Sequence, residues 1–175
     1  MKPTTEMFDS ARELHVGRVA AYKRGALNDA QFRPIRLSYG LYYQLDHTSY
    51  MQRIKIPGGL MTAEQMEVLA AITDDYGRGV THVTTRQDVQ IHWVPLDKVG
   101  DMYQRLEAVG ITTRGACSDS VRNVTACPHS GLLGVGRAQA ERDRRSDVAA
   151  HGGREIRGQL SEVLVREHEP EAELP

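Results

Sequence analysis

The chain has 175 residues, with 22 Lys and Arg against 23 Asp and Glu and a formal net charge of −1. That length sustains about one domain or slightly more, with a real core. The near-zero charge excludes a global field that would draw the protein to nucleic acid or to an acidic membrane. Attraction for anions must then be local, and it rests on arginine, because Lys98 is the last lysine. Arginine suits planar, bidentate recognition of carboxylates and oxyanions, although a GC-rich genome gives the same bias.

The first 25 residues contain no apolar run of signal-peptide length, and no stretch is long enough to span a membrane. Cys117 and Cys127 are the only cysteines. They exclude a disulfide framework and cannot by themselves supply four thiolates to a cluster or a zinc. The expectation is a cytoplasmic protein with reduced thiols, both cysteines being small buried side chains.

Residues 1–45 combine an amphipathic helix around Met7 to Tyr22 with an irregular arm rich in Arg and Tyr. Residues 46–110 are the most regular. Strands are expected at Tyr50 to Ile56, Val80 to Thr85 and Val89 to Val94. Thr62-Ala63-Glu64-Gln65 is a capping-box signature, and Met66, Leu69, Ile72 or Thr73, and Tyr76 follow at helical spacing up to Gly77 and Gly79. A second helix starts with Asp97 as its cap, shows Val99, Met102, Leu106 and Val109 on one face, and ends at Gly110. The order β-α-β-β-α folds most simply as an α+β unit, an antiparallel sheet with both helices on one face.

Alternation then sorts the strand residues. Ile54, Ile56, Val89, Ile91 and Trp93 fall beneath the helices, and Arg53, Lys55, Arg86, Gln90 and His92 fall on the other face. That second face is either a cationic platform or simply the solvated side of the sheet. Residues 111–136 begin as an ordered loop rich in Gly, Ser, Thr and Asp, and Arg114 and Arg122 bring the local cations to five. Such a cluster repels itself unless an anion sits within it.

Three segments, "YMQRIKIPGGLMTAEQMEVLA", "YGRGVTHVTTRQDVQIHW" and "LEAVGITTRGACSDSVRNVTACP", closely resemble in that order the N-terminal half of the sulfite and nitrite reductase family, which uses sirohaem and a 4Fe–4S cluster. The resemblance covers roughly residues 40 to 131 and implies a ferredoxin-like half domain followed by the start of a sirohaem-binding region. Its motifs are Arg-x-Arg/Lys-x-Pro-Gly-Gly, Thr-x-Arg-Gln-x-x-Gln-x-His and Arg-Asn-Val. Carried over, Arg53, Arg86 and Arg122 match arginines that bind the sirohaem carboxylates and the anionic substrate, while Gln90 and His92 match polar residues at the macrocycle. On that basis Arg53, Arg122 and Lys55 are the catalytic candidates. Arg86, Gln90, His92 and Arg114 are the cofactor-binding ones, and no residue is assigned to a metal.

The resemblance further implies six-electron reduction of sulfite to sulfide or nitrite to ammonia, with ferredoxin or a flavoprotein as donor. In that family the cluster thiolates come from a downstream half, so here they are expected from a missing C-terminal half or a partner chain. Residues 137–175 carry no family motif and read as a divergent tail, with a helix candidate at Ile156 to Val165 in a composition that favours disorder. The chain accordingly reads as a fragment, a truncated gene or a frame-shifted product, inactive alone. Two alternatives stay open: a non-catalytic half domain that binds a tetrapyrrole or another polycarboxylate, and part of a precorrin-pathway monooxygenase that shares the half domain.

Overall fold

A computed structural model describes residues 5–117 and 123–127, with side chains from Arg12 onward. Two helices lead, α1 over Thr5–Lys23 and α2 over Asp29–Ser38. They are followed by strands β1 at Leu41–Tyr43 and β2 at Tyr50–Ile54, then helix α3 at Ala63–Tyr76. Strands β3 at Thr81–Val83 and β4 at Val89–Val94 and helix α4 at Val99–Ala108 complete the set. From β2 onward this is the expected β-α-β-β-α order. The sheet runs β1-β2-β4-β3 with every pairing antiparallel.

The irregular arm expected after the first helix is instead α2 and β1. Asn28 caps α2 as Thr62 caps α3: its side chain accepts the Gln31 N–H at 2.9 Å, and the Gln31 side chain accepts the Asn28 N–H at 3.0 Å. Pro34 inside α2 removes one intrahelical bond. Burial compensates, through Phe32 stacked on Tyr22 at 4.2 Å and Arg36 donating to the Leu41 carbonyl at 3.0 Å.

One face of the sheet carries the core. Ile54 and Ile91 from the strands, Ile72 from α3, and Met102 and Leu106 from α4 are fully buried in a single cluster, so both helices cover the same face. The α3 stripe holds at Leu69, Ile72, Thr73 and Tyr76 and differs from the one expected only in its first turn. Met66 is 55% exposed, whereas Gln65 is buried, because its capping side chain also donates to the Val109 carbonyl at 3.0 Å. Asp97 is not a helix cap. It lies in a 3-10 turn over Leu96–Lys98, and α4 begins at Val99 without a side-chain cap.

Trp93 also leaves its expected place. Tyr50 pairs with Val94 and Gln52 with Ile91, so two residues of β4, His92 and Trp93, stand against Met51 alone. This bulge, with Trp93 at φ 61°, flips the alternation, and Val94 goes inward in its place. Trp93 is half-buried under the Arg78 guanidinium, 5.1 Å from the ring centroid. The Gln44 side chain fastens the bulge by accepting the Trp93 N–H at 2.9 Å.

Candidate anion site

Across the open face, Arg53 of β2, Gln90 of β4 and His82 of β3 are direct cross-strand partners, so their side chains share that face. Arg53 donates from Nη1 to the Tyr42 hydroxyl at 2.9 Å and lies 4.9 Å from that ring. Only 11% of its side chain is exposed.

Arg86 reaches this row by another route than strand parity. It sits in the β3–β4 turn, where the Gln87 N–H donates to the Thr84 carbonyl and the Thr84 N–H donates to Asp88, both at 2.9 Å. Gln87 adopts φ 62°, the left-handed residue that a three-residue hairpin loop requires. The turn brings Asp88, fully buried, between the two arginines. Its Oδ2 lies 4.0 Å from the Arg53 Nε and 4.0 Å from the Arg86 Nε. The anion needed to hold the cations together is thus in part the protein's own. Asp88 was legible as the only acidic residue between Asp75 and Asp97 in an otherwise cationic stretch.

The segment after Gly110 folds back over this end of the sheet. Gly115 N–H donates to the Ser38 carbonyl at 2.7 Å, and Gly58 N–H donates to the Val124 carbonyl at 2.7 Å. Asn123 Nδ2 donates to the Arg86 carbonyl at 2.7 Å and to the Ile56 carbonyl at 3.2 Å. The Gln87 side-chain amide clasps Ala126, its Nε2 donating to the Ala126 carbonyl at 2.8 Å and its Oε1 accepting the Ala126 N–H at 2.9 Å. A Cβ on Gly59 would lie 3.0 Å from the Gln87 side chain, so glycine there gives that clasp its room. All three sequence motifs therefore meet through backbone contacts. Arg122 itself lies outside the described residues, as does the tail from 137 with its helix candidate.

The Asn123 bonds imply a local measurement. Asn123→Ala should make the Gly58 and Ala126 amides exchange about tenfold faster with solvent deuterium, equivalent to about 1.4 kcal/mol of lost local protection. Unchanged exchange at both would mean that Asn123 does not tie the segment down.

Lys55 is not on an open platform: Ile54 and Ile56 on either side of it both enter the core, but Lys55 itself is buried at 3% exposure. Arg114 is exposed, and its charge acts on Tyr39. Burial raises the Tyr39 pKa, and the Arg114 charge opposes that rise. His92 lies on the open face within 3.0 Å of Gln44 Oε1 through Nδ1. Because that oxygen is an acceptor, Nδ1 carries the proton. Burial, then the neighbouring His82 at 4.8 Å, lowers the His92 pKa and keeps the ring neutral. Cys117 is buried as expected, but Cys127 is exposed, at the end of a segment held by the turns at Ile56–Gly58 and Arg86–Gln87.

The nitrite/sulfite reductase ferredoxin-like half domain is the family description that matches residues 42–109. Over these residues the chain has the fold of a ferredoxin-like half domain. The assimilatory ferredoxin-dependent nitrite reductase of Haloferax mediterranei is 34% identical over 92 residues, covering 47% of this chain and 16% of the relative. The chloroplastic ferredoxin–nitrite reductase of Spinacia oleracea is 38% identical over 102 residues, covering 56% and 17%. Sulfite reductase (ferredoxin) 2 of Mycolicibacterium paratuberculosis is 32% identical over 88 residues, covering 50% and 16%. A solved structure of the Mycobacterium tuberculosis NirA protein superposes with a TM-score of 0.54 at 22% identity, over 69% of this chain and 28% of that one, and supports the fold. The chain spans about one sixth of the length of these sequence relatives.

Proposed function

We propose that this chain serves as the N-terminal part of a sulfite or nitrite reductase, its arginine row receiving carboxylates of a sirohaem and the substrate oxyanion. The observation that carries this reading is the meeting of the three motifs at one end of the sheet, with Arg53, Asp88 and Arg86 in a row and Asn123 on the Arg86 carbonyl. The reading also takes ferredoxin as the electron donor, in keeping with the relatives' names. No helix of the described residues is long and apolar enough to cross a membrane.

The described residues fit the two family cofactors unequally. Arg86 has 45% of its side chain exposed and makes no side-chain hydrogen bond among the described residues, so its outer nitrogens suit a tetrapyrrole carboxylate. Gln90 and His82 line the same face beside it. A 4Fe–4S cluster finds no such match. Cys117 is buried, Cys127 is exposed, and the described residues hold no group of three His, Cys, Asp or Glu placed for a metal ion. Its thiolates would belong to another segment or chain. The sirohaem and cluster would supply the electron transfer to the sulfur or nitrogen. This chain's own part is to neutralise carboxylates, orient the anion and offer hydrogen bonds as charge develops on the departing oxygens.

Titration of the full 175-residue chain with a carboxylated porphyrin, followed by fluorescence, tests the reading. Binding should weaken as salt rises, and Arg86→Ala should weaken it about tenfold through loss of a charge-assisted bond. Equal affinity for the wild type and the Arg53/Arg86/Arg122 triple-alanine variant would make these arginines a solvated face and nothing more.

A further inference from the structure

Two guanidiniums drawn to one end of a small sheet repel each other, and the usual remedy is an external anion. Here a fully buried carboxylate already stands between them, the same oxygen 4.0 Å from each Nε. The Arg53 Nε is itself buried and makes no hydrogen bond among the described residues, so Asp88 is the charge it faces. The exposures are unequal: 11% for the Arg53 side chain, 45% for that of Arg86 and none for Asp88. The Nε edges of both arginines face the carboxylate at ion-pair rather than hydrogen-bond distance, and the outer edge of Arg86 is open.

We infer that Asp88 is the built-in counter-anion of this site, a positioning residue that holds Arg53 and Arg86 side by side before any ligand arrives and decides which anions they admit. A small monoanion such as formate gains little, because the inner position is taken. An extended polycarboxylate binds by the outward edge of Arg86 and spreads its other groups over the open face. The hairpin supplies the rigidity this role needs: the Asp88 N–H donates to the Thr84 hydroxyl at 3.1 Å, and the Asp88 carbonyl accepts the Thr84 N–H at 2.9 Å. The carboxylate is therefore presented by both strands of the turn.

The inference rests on taking the row as an anion site. Porphyrin binding tests that reading and the following experiment tests Asp88, so one can fail without the other. Asp88→Ala should lower the melting temperature of the full chain by roughly 10 °C, as expected for a broken buried pair. Sodium formate at about 0.1 M should restore at least half of that loss relative to sodium chloride at equal ionic strength, while the wild type gains almost nothing from formate. A second variant guards against failure to fold: Asp88→Asn combined with Arg86→Gln removes one charge of each sign and should melt higher than Asp88→Asn alone. Formate that rescues nothing, formate that stabilises the wild type equally, or a double variant no better than Asp88→Asn would each overturn the assignment. Failure of every variant to fold would do the same, since restored charge balance would then not be what the site requires.

Discussion

Replacing Gly40 with alanine is expected to lower the unfolding free energy by about 3 kcal/mol, from left-handed strain of 1–2 kcal/mol together with overpacking. Gly40 sits between α2 and β1 at φ 74°, where an L side chain is strained whatever room surrounds it. Here there is no room. A Cβ would lie 2.7 Å from the Arg53 carbonyl oxygen and 2.7 Å from the Ala116 Cβ. Neither neighbour can yield cheaply: the first is β2 backbone, whose Arg53 N–H donates to the Gly40 carbonyl at 2.8 Å, and the second is anchored by Ala116 N–H on the Thr113 carbonyl at 3.1 Å. The substitution should therefore push the 113–117 segment off the sheet and tilt β2 beneath Arg53, weakening porphyrin binding as well as stability. Urea denaturation measures the first effect. A loss below about 1 kcal/mol would show that the crossing relaxes without strain.

The same neighbourhood shows what a sequence discloses and what it hides. Thr62 and Gln65 announce the start of α3 because a capping box is a local device, complete within four residues. Val89 and Ile91 disclose their burial because strand alternation is local too, and it holds until Trp93, where Gln44, 49 positions away, fastens a bulge. Local pattern cannot announce a partner that distant. The burial of Lys55 has a related cause: alternation sets the side of the sheet a residue takes, whereas what covers it comes from far along the chain, as Val124 does where its carbonyl meets Gly58. Pro34 masks α2 in the sequence, although Asn28 and Gln31 carry the same capping-box signature as Thr62 and Gln65. At the candidate site the arginines were legible as residue types in motifs. Asp88 stands out in the sequence only as the lone acidic residue of its stretch, and its place between Arg53 and Arg86, like the clasp of Gln87 on Ala126, follows only from the turn. One carboxylate then faces two guanidiniums, which leaves the row with net positive charge.

Stability should fall steeply in mild acid, and His15 is the reason. This side chain on α1 is 1% exposed and stacks on Tyr39 at 3.9 Å with Tyr103 at 5.5 Å, and neither ring nitrogen has a hydrogen-bond partner among the described residues. Burial first, and the Arg18 charge second, lower its pKa to about 4 from 6.5. The unfolded chain takes up a proton as the pH drops through 6.5, whereas the folded protein resists until about 4. Stability is thus fully present above 6.5 and is lost as the pH falls between those values, by about 2 kcal/mol at pH 5 and about 3 kcal/mol at pH 4. His92, lowered for the same reason, adds to the loss in the same direction. Asp46, held at about 2 by its hydrogen bonds from Ser49 and Thr48, acts only at lower pH, so the window from 7 to 5 isolates the histidines. In denaturant titrations across that window, His15→Leu should remove most of the slope. At pH 7 it should leave stability unchanged or higher, because two unsatisfied ring nitrogens give way to an apolar side chain of similar volume. A variant with the wild-type slope would show that His15 is protonated in the folded state, and that the aromatic stack around it opens to let water in.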